Sequence, residues 1–545
     1  MESDRPAYVT AMLTSAAYPF PVQDEEIELR QTHISYVHLT QEFVYKTKKP
    51  VDFGFINQLS AETRRLNCER EVELNSRLAP SIYISVVPIV LLPSGQIQVE
   101  PANGDLPDSE IIEWAVKMKR LPEDSTLQKF LTGSEDRSTE VMSNLPVDLA
   151  NRLVAFHRDC AKVQSNPDFA GIGPVRAWWD RETREIEEFL GVTFDEKIQA
   201  RLNHFTKSTL DRIEGILLNR LESGLVVEGH GDLHCDHVYL VKSSATENDG
   251  RAEILIVDCI EFNDWFQFRF LDVGYEIAFL AMDLTFQGWE NLADEFVAHY
   301  IISSGDQTLP ALQPLHRMFR AFVRAKIFSI TAMDRNIDHD ARDSAIIEAK
   351  KYSELADSFA TRFQMQKFIV LSGVSGSGKS LLGAAVAARI GAIWLNSDVI
   401  RKELAGIPVT EALDTGHYDL DMNVRVYQTL RDRSQKYLRE GFTVVADATH
   451  LQKVHRAQTL HAAQHTKAET LLVGLRINEP LASQRVTDRA RQTGNISDAT
   501  VEIVRDQLMQ REEIEPDEAN SYLILDSGDS FKYNLEEILK SIEVR

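Results

Sequence analysis

The chain has 545 residues, which is too long for one ordinary hydrophobic core, so its length predicts several domains. Its composition, with 43% hydrophobic and 26% charged residues, is that of a soluble globular protein. A formal net charge of −24 disfavours general nucleic-acid binding, because an acidic surface repels phosphate backbones.

Two further features bear on the location of the protein. No basic segment followed by an apolar stretch opens the sequence, and its most apolar run, residues 82–92, is shorter than the roughly 20 residues of a membrane-spanning helix. The four cysteines are widely spaced and lack the pairs typical of zinc sites. We therefore predict a cytoplasmic protein with reduced cysteines and no membrane segment.

Short strands dominate the first part of the chain. Alternating β-branched and aromatic residues, with turn residues between them, predict strands over residues 27–30, 35–39, 42–48, 86–92 and 96–100. A helix is predicted over residues 60–78.

From Leu127 onward the pattern is mostly helical, apart from strand-like residues 238–241 and 254–257. These patterns predict a small β-rich lobe at about 20–120 and a helical lobe at about 121–345, which together form a domain over residues 1–345.

The pattern changes after a predicted helical connector at residues 346–366, which contains no Gly or Pro. From residue 367 to 545, apolar strand-like runs alternate with amphipathic helices, and this alternation predicts an α/β domain with a parallel sheet. The predicted strands are 368–371, 392–395, 443–446, 471–477 and 522–525.

The first of these strands leads into a glycine-rich loop and then a helix, the arrangement of a P-loop. The loop consists of Gly373, Val374, Ser375, Gly376, Ser377, Gly378, Lys379 and Ser380. Its glycines allow backbone N–H groups to surround phosphates, and the helix N-terminus adds partial positive charge. We expect Lys379 to reach the β- and γ-phosphates and the Ser380 hydroxyl to bind Mg²⁺.

Carboxylates follow the next two strands of this domain. Asp398 comes after the second strand and Asp447 ends the third, so both are expected in the crevice at the carboxyl edge of the sheet. Asp398 is a candidate base for an acceptor hydroxyl, with Arg401 on the same side, although a helix cap with a surface ion pair explains the pattern equally well. Asp447, with Thr449 beside it, suits a position in the Mg²⁺ shell.

Three arginines stand close together further on, at Arg485, Arg489 and Arg491. Arg485 and Arg489 share one helix face and are candidates for a cationic lid that closes over the transferring phosphate. A solvated charged face is the alternative.

Together these motifs resemble the small P-loop kinases, such as gluconate kinase, zeta toxin and the kinase domain of polynucleotide kinase. The resemblance covers residues 367–545 and implies ATP·Mg²⁺ as phosphate donor with a hydroxyl acceptor near Asp398.

A second set of motifs lies in the N-terminal part, where residues 228–240 read EGHGDLHCDHVYL and residues 254–262 read ILIVDCIEF. These strings resemble the catalytic loop and metal-binding segment of aminoglycoside phosphotransferases and choline kinases. The resemblance implies that Asp232 is the catalytic base and Asp258 a metal ligand. A hydrolytic metal site built from His230, His234 and His237 is the rival, but the sequence lacks H-E-x-x-H spacing.

The same resemblance implies that Lys46 reaches the α- and β-phosphates, with Lys48 as the alternative, and that Glu71 fixes the lysine. Asp272 resembles the residue that supports the catalytic loop. The chain departs from the family at His237, where the family has Asn as a metal ligand. Imidazole suits Mg²⁺ poorly, so Mn²⁺ is the alternative ion. A glycine-rich phosphate loop between the first two strands is also missing.

The whole chain resembles a bacterial family described as bifunctional aminoglycoside phosphotransferase/ATP-binding proteins: a protein-kinase-like α+β domain followed by an α/β P-loop NTPase domain. VYKTKKPVDFGF, EWAVKMKRLP, HGDLH and DCIEFND carry the resemblance. It implies an ATP-dependent kinase with two ATP sites that phosphorylates a hydroxyl of a small molecule. Two alternatives stay open, namely a non-catalytic N-terminal ligand sensor and a C-terminal nucleic-acid end kinase. The acidic charge disfavours the latter.

Overall fold

The structure is a computed structural model that describes most of the chain. The described residues are 5–53, 56–101, 111–133, 139–163, 172–242, 252–262, 269–335, 337–362, 365–409, 411, 420–489, 499–519 and 521–543. By its internal contacts the chain divides into two compact units: unit 1 is formed by residues 1–141 and 227–271, and unit 2 by residues 142–226 and 272–545. The predicted domain limits at residues 345 and 367 stay a prediction, since compactness alone does not define a domain boundary.

The described helices and strands are numbered in chain order. The helices are α1 Ala7–Ala11, α2 Ala61–Asn75, α3 Leu127–Thr132, α4 Thr139–Asp159, α5 Ile172–Glu185, α6 Glu196–Glu222, α7 Val273–Phe286, α8 Glu290–Ser304, α9 Leu309–Met333, α10 His339–Thr361, α11 Lys379–Ile390, α12 Ser397–Ala405, α13 Leu420–Arg439, α14 Lys453–Leu460, α15 Glu479–Arg489, α16 Val501–Gln510 and α17 Phe531–Glu543. The strands are β1 Glu28–Gln31, β2 Ser35–Leu39, β3 Phe43–Lys48, β4 Tyr83–Leu91, β5 Ile97–Val99, β6 Ile111–Lys119, β7 Val226–Glu228, β8 Val238–Lys242, β9 Ala252–Ile256, β10 Phe270–Asp272, β11 Lys367–Ser372, β12 Ile393–Asn396, β13 Val444–Asp447, β14 Glu469–Arg476 and β15 Tyr522–Asp526. None of the described helices is both long and apolar enough to cross a membrane.

Unit 1 contains a six-stranded antiparallel sheet in the order β1-β2-β3-β6-β4-β5. The sequence predicts five of these strands and misses β6, which joins β3 to β4. Helix α2 begins at its N-cap Ser60, whose hydroxyl accepts a hydrogen bond from Thr63 N, and packs on β4 and β6. Side chains alternate across β3, so Lys46 and Lys48 both reach Glu71 on α2, while Tyr45 lies in the apolar cluster on the other face.

Unit 2 contains a five-stranded sheet in the order β12-β13-β11-β14-β15. All pairings are parallel, and each strand lies within two residues of its predicted limits. The predicted parallel α/β sheet is therefore confirmed. Strand β11 is central, with β13 on one side and β14 on the other, so the loop after it opens at the point where the strand order reverses.

The helix predicted as a connector is longer than expected and is packed. It begins at His339 instead of residue 346 and ends at Thr361. It lies along α9, and its Tyr352 ring stacks on Phe286 with centroids 3.6 Å apart and planes 4° from parallel. Its apolar face therefore belongs to the core of unit 2.

Strand β12 is an edge strand of the parallel sheet, and a single glutamine covers part of that edge. The backbone N–H of Trp394 donates to the carbonyl oxygen of Gln307 over 3.0 Å, and that of Asn396 donates to its side-chain oxygen over 3.2 Å. The Gln307 amide in turn donates to Glu403 on α12. Backbone donors that would otherwise be unpaired are thereby satisfied.

A buried ion pair links helix α8 to helix α11. Arg389 Nε lies 2.8 Å from both carboxylate oxygens of Asp294, and the same guanidinium contacts Glu290. The Asp294 side chain has no exposed area, and this burial raises its pKa to about 6 despite the guanidinium. Removal of the cation therefore leaves a buried carboxylate beside Arg317, which is 3.8 Å away.

We predict that Arg389→Met lowers the free energy of unfolding by about 3–5 kcal/mol at neutral pH. The loss should be smaller near pH 5, because Asp294 then binds a proton in the folded chain and needs no cation, and larger near pH 8, where its ionised form is unpaired. Urea unfolding monitored by circular dichroism at both pH values measures the effect. Arg439→Met, at an exposed arginine, is the matched control, and equal stabilities of the two variants would contradict the prediction.

Candidate functional site

A cleft of about 790 Å³ lies at the carboxyl ends of strands β11, β12 and β13. Side chains from the glycine-rich loop and from the two neighbouring strand ends line it, including Ser375, Lys379, Ser380, Asn396, Asp398, Arg401, Tyr427, Thr449, His455 and Gln507. The structure thus brings most of the predicted residues of this region into one cavity, at the sheet edge where α/β proteins bind their ligands.

The loop between β11 and α11 requires glycine at two positions. Gly376 and Gly378 have φ angles of 82° and 80°, in the left-handed region that other residues rarely adopt. A Cβ atom on Gly376 would also lie 2.7 Å from the backbone oxygen of Ala482. Gly378 is the N-cap of α11, so the first N–H groups of that helix open toward the cleft.

Lys379 begins helix α11 and is surrounded by carboxylates and one arginine. Burial lowers the pKa of its ammonium group, while the charges of Asp447 and Asp398 oppose that change and Arg489 reinforces it. Both predicted carboxylates and one predicted lid arginine are therefore near enough to act on the charge of this lysine.

An asparagine that the sequence analysis did not assign connects three of these residues. The Asn396 amide nitrogen donates to Asp447 over 2.6 Å and lies 3.3 Å from the Ser380 hydroxyl. Its side-chain oxygen accepts from the backbone N–H of Asp398 over 2.9 Å and of Val399 over 3.1 Å, so it also caps helix α12.

Asp447 has the surroundings of a carboxylate that faces a cation. It is fully buried, and this burial raises its pKa. Among the described residues, its Oδ1 atom has no hydrogen-bond partner, although buried carboxylate oxygens are normally paired. This oxygen and the nearby Ser380 hydroxyl are hard ligands, so the residues fit Mg²⁺.

Helix α15 packs against the glycine-rich loop through Val374 and carries the predicted lid arginines. Arg485 donates to the carbonyl oxygens of Ser527 over 2.8 Å and Gly376 over 3.4 Å, so its guanidinium is held against the loop backbone. The positive charge of Arg489 lowers the pKa of Lys379. Arg491 is outside the described residues. Lid closure by these arginines stays a prediction.

Three further cleft residues were missed by the sequence analysis. Gln507 on α16 accepts a hydrogen bond from the Ser375 backbone N–H over 2.7 Å. The Tyr427 ring stacks on His455 with centroids 5.0 Å apart, and its hydroxyl lies 3.1 Å from that of Thr449. No motif marks these residues, because Gln507 and Tyr427 contact Ser375 and Thr449 from distant parts of the chain.

The predicted site of unit 1 also assembles. Lys46 Nζ lies 2.5 Å from Asp258 Oδ1 and 2.8 Å from Glu71 Oε1. Lys48, the alternative lysine, contacts Glu71 as well and also Glu261. Although burial opposes ionisation, the two ammonium groups keep the pKa of Glu71 below its ordinary value. Glu71 therefore fixes both lysines at once.

Asp258 has a φ angle of 69°, which is unusual for a residue with a side chain and marks local strain. Its backbone N–H donates to the Tyr83 hydroxyl over 3.2 Å. Burial would raise the pKa of Asp258, but the Lys46 ammonium keeps it below the ordinary range, so the group is a carboxylate.

The catalytic-loop string folds so that Asp232, His234 and His237 face one another. His234 Nε2 and His237 Nδ1 each lie 3.6 Å from Asp232 Oδ2, and His237 Nε2 lies 3.6 Å from Asp258 Oδ2. His230, the third histidine of the rival metal site, instead bonds through Nε2 to Val257 O and accepts through Nδ1 from Asp232 N. His230 therefore holds the loop backbone.

Asp272 lies at the start of helix α7. It caps helix α7 through the Gly274 N–H and pairs with the buried Arg220, with Nε 2.7 Å from Oδ2. Within unit 2 these contacts fix the start of α7.

The fold and the cleft define the region from β11 onward as a P-loop kinase-like domain. Residues 368–514 match a family described as "AAA domain". Over 493 residues the chain is 29% identical to "Uncharacterized protein Rv2004c" of Mycobacterium tuberculosis (strain ATCC 25618 / H37Rv), covering 89% of this chain and 90% of the relative. "Uncharacterized protein Mb2027c" of Mycobacterium bovis (strain ATCC BAA-935 / AF2122/97) is similar to the same extent.

Two solved structures are similar to about a third of the chain. Chaetomium thermophilum Kti12 in complex with ADP-AlF3 is 16% identical and covers 32% of this chain and 99% of its own, with a TM-score of 0.26. Shikimate kinase from Acinetobacter baumannii in complex with shikimate is 21% identical and covers 32% and 93%, with a TM-score of 0.23.

We predict that Asn396→Ser raises the Mg²⁺ concentration needed for half-maximal ATP turnover by about 10–100-fold, the usual effect of losing a residue that orients a metal ligand. Serine still caps helix α12, so the variant removes only the amide that holds Asp447. Asn423→Ser, at another residue lining the cleft, is the control. An unchanged Mg²⁺ dependence in Asn396→Ser would show that the amide does not orient the metal ligands.

Proposed function

We propose that the protein is an ATP-dependent phosphotransferase that transfers a γ-phosphate to a hydroxyl of a small molecule in the cleft of unit 2. The observation that supports this best is that Lys379, Ser380 and Asp398 line one cavity, with Asp447 buried beside them. A phosphate-binding loop, hard metal ligands and a candidate base are the parts that phosphoryl transfer requires.

Each residue has a distinct role in this proposal. The N–H groups at the start of α11 and the Lys379 ammonium bind the β- and γ-phosphates. Ser380 and Asp447 would hold Mg²⁺, which neutralises phosphate charge when bound. Asp398 takes the proton of the acceptor hydroxyl while the hydroxyl oxygen bonds to the γ-phosphorus. The bond between the γ-phosphorus and the β,γ-bridging oxygen breaks at the same time, and ADP leaves.

The acceptor end of the cleft is lined by polar and aromatic groups. The stacked pair of Tyr427 and His455 lies there with Arg431 and Gln458, which are bonded to each other over 3.2 Å. Such groups position a polar metabolite through hydrogen bonds and ring contacts. The net charge of −24 disfavours a nucleic-acid acceptor.

Two substitutions in the intact chain separate phosphate binding from acceptor activation. Lys379→Ala should lower ATP turnover by roughly 10²-fold or more, because a cation in a partly dry site is lost. Asp398→Asn should lower transfer to an acceptor by about 10²–10⁴-fold and leave ATP affinity nearly unchanged, because it contacts only the acceptor. ³¹P NMR of metabolite pools and calorimetry with ATP measure both. Equal losses of transfer and affinity in Asp398→Asn would assign this carboxylate to the metal or the fold.

We propose unit 1 as a second ATP site, on the strength of the Lys46, Glu71 and Asp258 arrangement. In this proposal Lys46 binds the α- and β-phosphates, Asp258 binds the metal ion and Asp232 is the base. The competing proposal is a non-catalytic ligand sensor. It is favoured by His237 at the family's Asn position and by the ion pair that Lys46 already makes with Asp258.

In a chain that carries Lys379→Ala, we expect one remaining ATP site, in unit 1. Adding Lys46→Met should weaken ATP binding at that site by about 1.5–3 kcal/mol, because a charged hydrogen bond is lost. Asp232→Asn should leave this binding intact. Lys119→Met, at an exposed lysine of the same sheet, is the matched control. Calorimetry with ATP and either Mg²⁺ or Mn²⁺ measures the affinity. Absence of ATP binding to the folded Lys379→Ala chain would defeat the kinase proposal for unit 1 and favour the sensor.

A further inference from the structure

Three side chains of the loop between β7 and β8 form a cluster with the composition of a metal site. Asp232, His234 and His237 each offer one carboxylate oxygen or imidazole nitrogen, and these three atoms lie within 4.8 Å of one another. The His234 and His237 rings are close, with centroids 4.0 Å apart and planes 40° from parallel. Two imidazoles and a carboxylate at such spacing can share one cation.

The orientation of His237 indicates where the cation binds. Its Nδ1 atom lies 2.8 Å from the Asp232 backbone oxygen, and because a carbonyl oxygen only accepts, Nδ1 carries the proton. Nε2 therefore has a free lone pair, and it faces Asp258 Oδ2 at 3.6 Å. An N–H bond to a backbone carbonyl is the usual way in which a metal-binding histidine is fixed in one tautomer.

The His237 Nε2 lone pair and Asp258 Oδ2 face each other at 3.6 Å, so a cation placed between them is attracted by both. A transition metal binds nitrogen and oxygen ligands at about 2.0–2.2 Å, so two ligands at a near-tetrahedral angle are separated by about 3.3–3.6 Å. The separation of Nε2 and Oδ2 matches this geometry, as does the 3.6 Å between His234 Nε2 and Asp232 Oδ2.

The exposure of these groups suits a ligand set. The carboxylates of Asp232 and Asp258 are 41% and 45% exposed, and the imidazoles of His234 and His237 only 11% and 17%. A cation can thus reach the site from the solvent-exposed carboxylates and contact the more buried imidazoles.

We propose that Asp232, His234 and His237, with Asp258 as a fourth ligand, bind a divalent transition-metal ion such as Zn²⁺. Nitrogen ligands favour such ions over Mg²⁺, which requires oxygen ligands. With this ion bound, Asp232 is a metal ligand and not the base proposed for an ATP site of unit 1, so the two assignments of Asp232 are alternatives. The metal site does not rest on nucleotide binding in the cleft of unit 2. That cleft offers the oxygen ligands of Ser380 and Asp447, so the two sites differ in ligand chemistry.

X-ray absorption at the zinc edge, on the untagged full-length chain loaded with one equivalent of Zn²⁺, tests the proposal directly. We expect the multiple-scattering signature of two imidazoles. Coordination by oxygen alone, or by a single imidazole, would overturn the assignment. This measurement uses the unmodified chain, so it stays decisive even if a variant fails to fold.

Calorimetry with Zn²⁺ and Mg²⁺ identifies the ligands. His234→Ala and His237→Ala should each weaken Zn²⁺ binding by about 100-fold or more, and His237→Asn should shift the preference toward Mg²⁺. His204→Ala, at an exposed histidine, and Asp447→Asn, in the other candidate metal site, are the controls and should retain wild-type Zn²⁺ affinity. Wild-type affinity in the chain with both His234→Ala and His237→Ala would also overturn the proposal.

Discussion

The P-loop cleft depends on one amide side chain, that of Asn396. Its nitrogen holds the buried carboxylate of Asp447 beside Ser380, and its oxygen caps the helix that carries Asp398. A carboxylate without exposed surface needs such a donor, since an unpaired one would take up a proton and cease to be a metal ligand. The same residue therefore contacts both the candidate metal ligand and the helix that carries the candidate base. Neither can shift without affecting the other.

The two sites control carboxylate charge by opposite means. In unit 1, the buried ammonium groups of Lys46 and Lys48 keep the pKa of Glu71 low, and Lys46 does the same for Asp258. In unit 2, burial outweighs the attraction of Lys379 and raises the pKa of Asp447. Glu71 and Asp258 are thus ionised before any ligand arrives, whereas Asp447 gains charge stabilisation when a cation binds.

The sequence predicts those features that are encoded locally. Apolar runs bounded by turn residues locate the parallel strands, and the spacing from Gly373 to Ser380 identifies the phosphate-binding loop, because both depend on neighbouring residues. Alternation along β3 correctly places Lys46 and Lys48 on one face. Strand β6 was missed although its residues do alternate, with Trp114, Val116 and Met118 on one face and Glu113, Lys117 and Lys119 on the other. Asn396 and Gln507 were missed because their partners lie up to 51 and 132 residues away, and no local pattern records such contacts.

Gln307, which lies between helices α8 and α9, covers part of the exposed edge of the parallel sheet. Its two oxygens take the place of a neighbouring strand for Trp394 and Asn396. A chain that starts at β11 would lack the groups that cover the edge of β12, and exposed strand edges pair with other chains. Its Arg389 would also lack its partner Asp294 on α8. An exchange of the P-loop region between relatives therefore keeps these contacts only when the helices around Gln307 are exchanged with it.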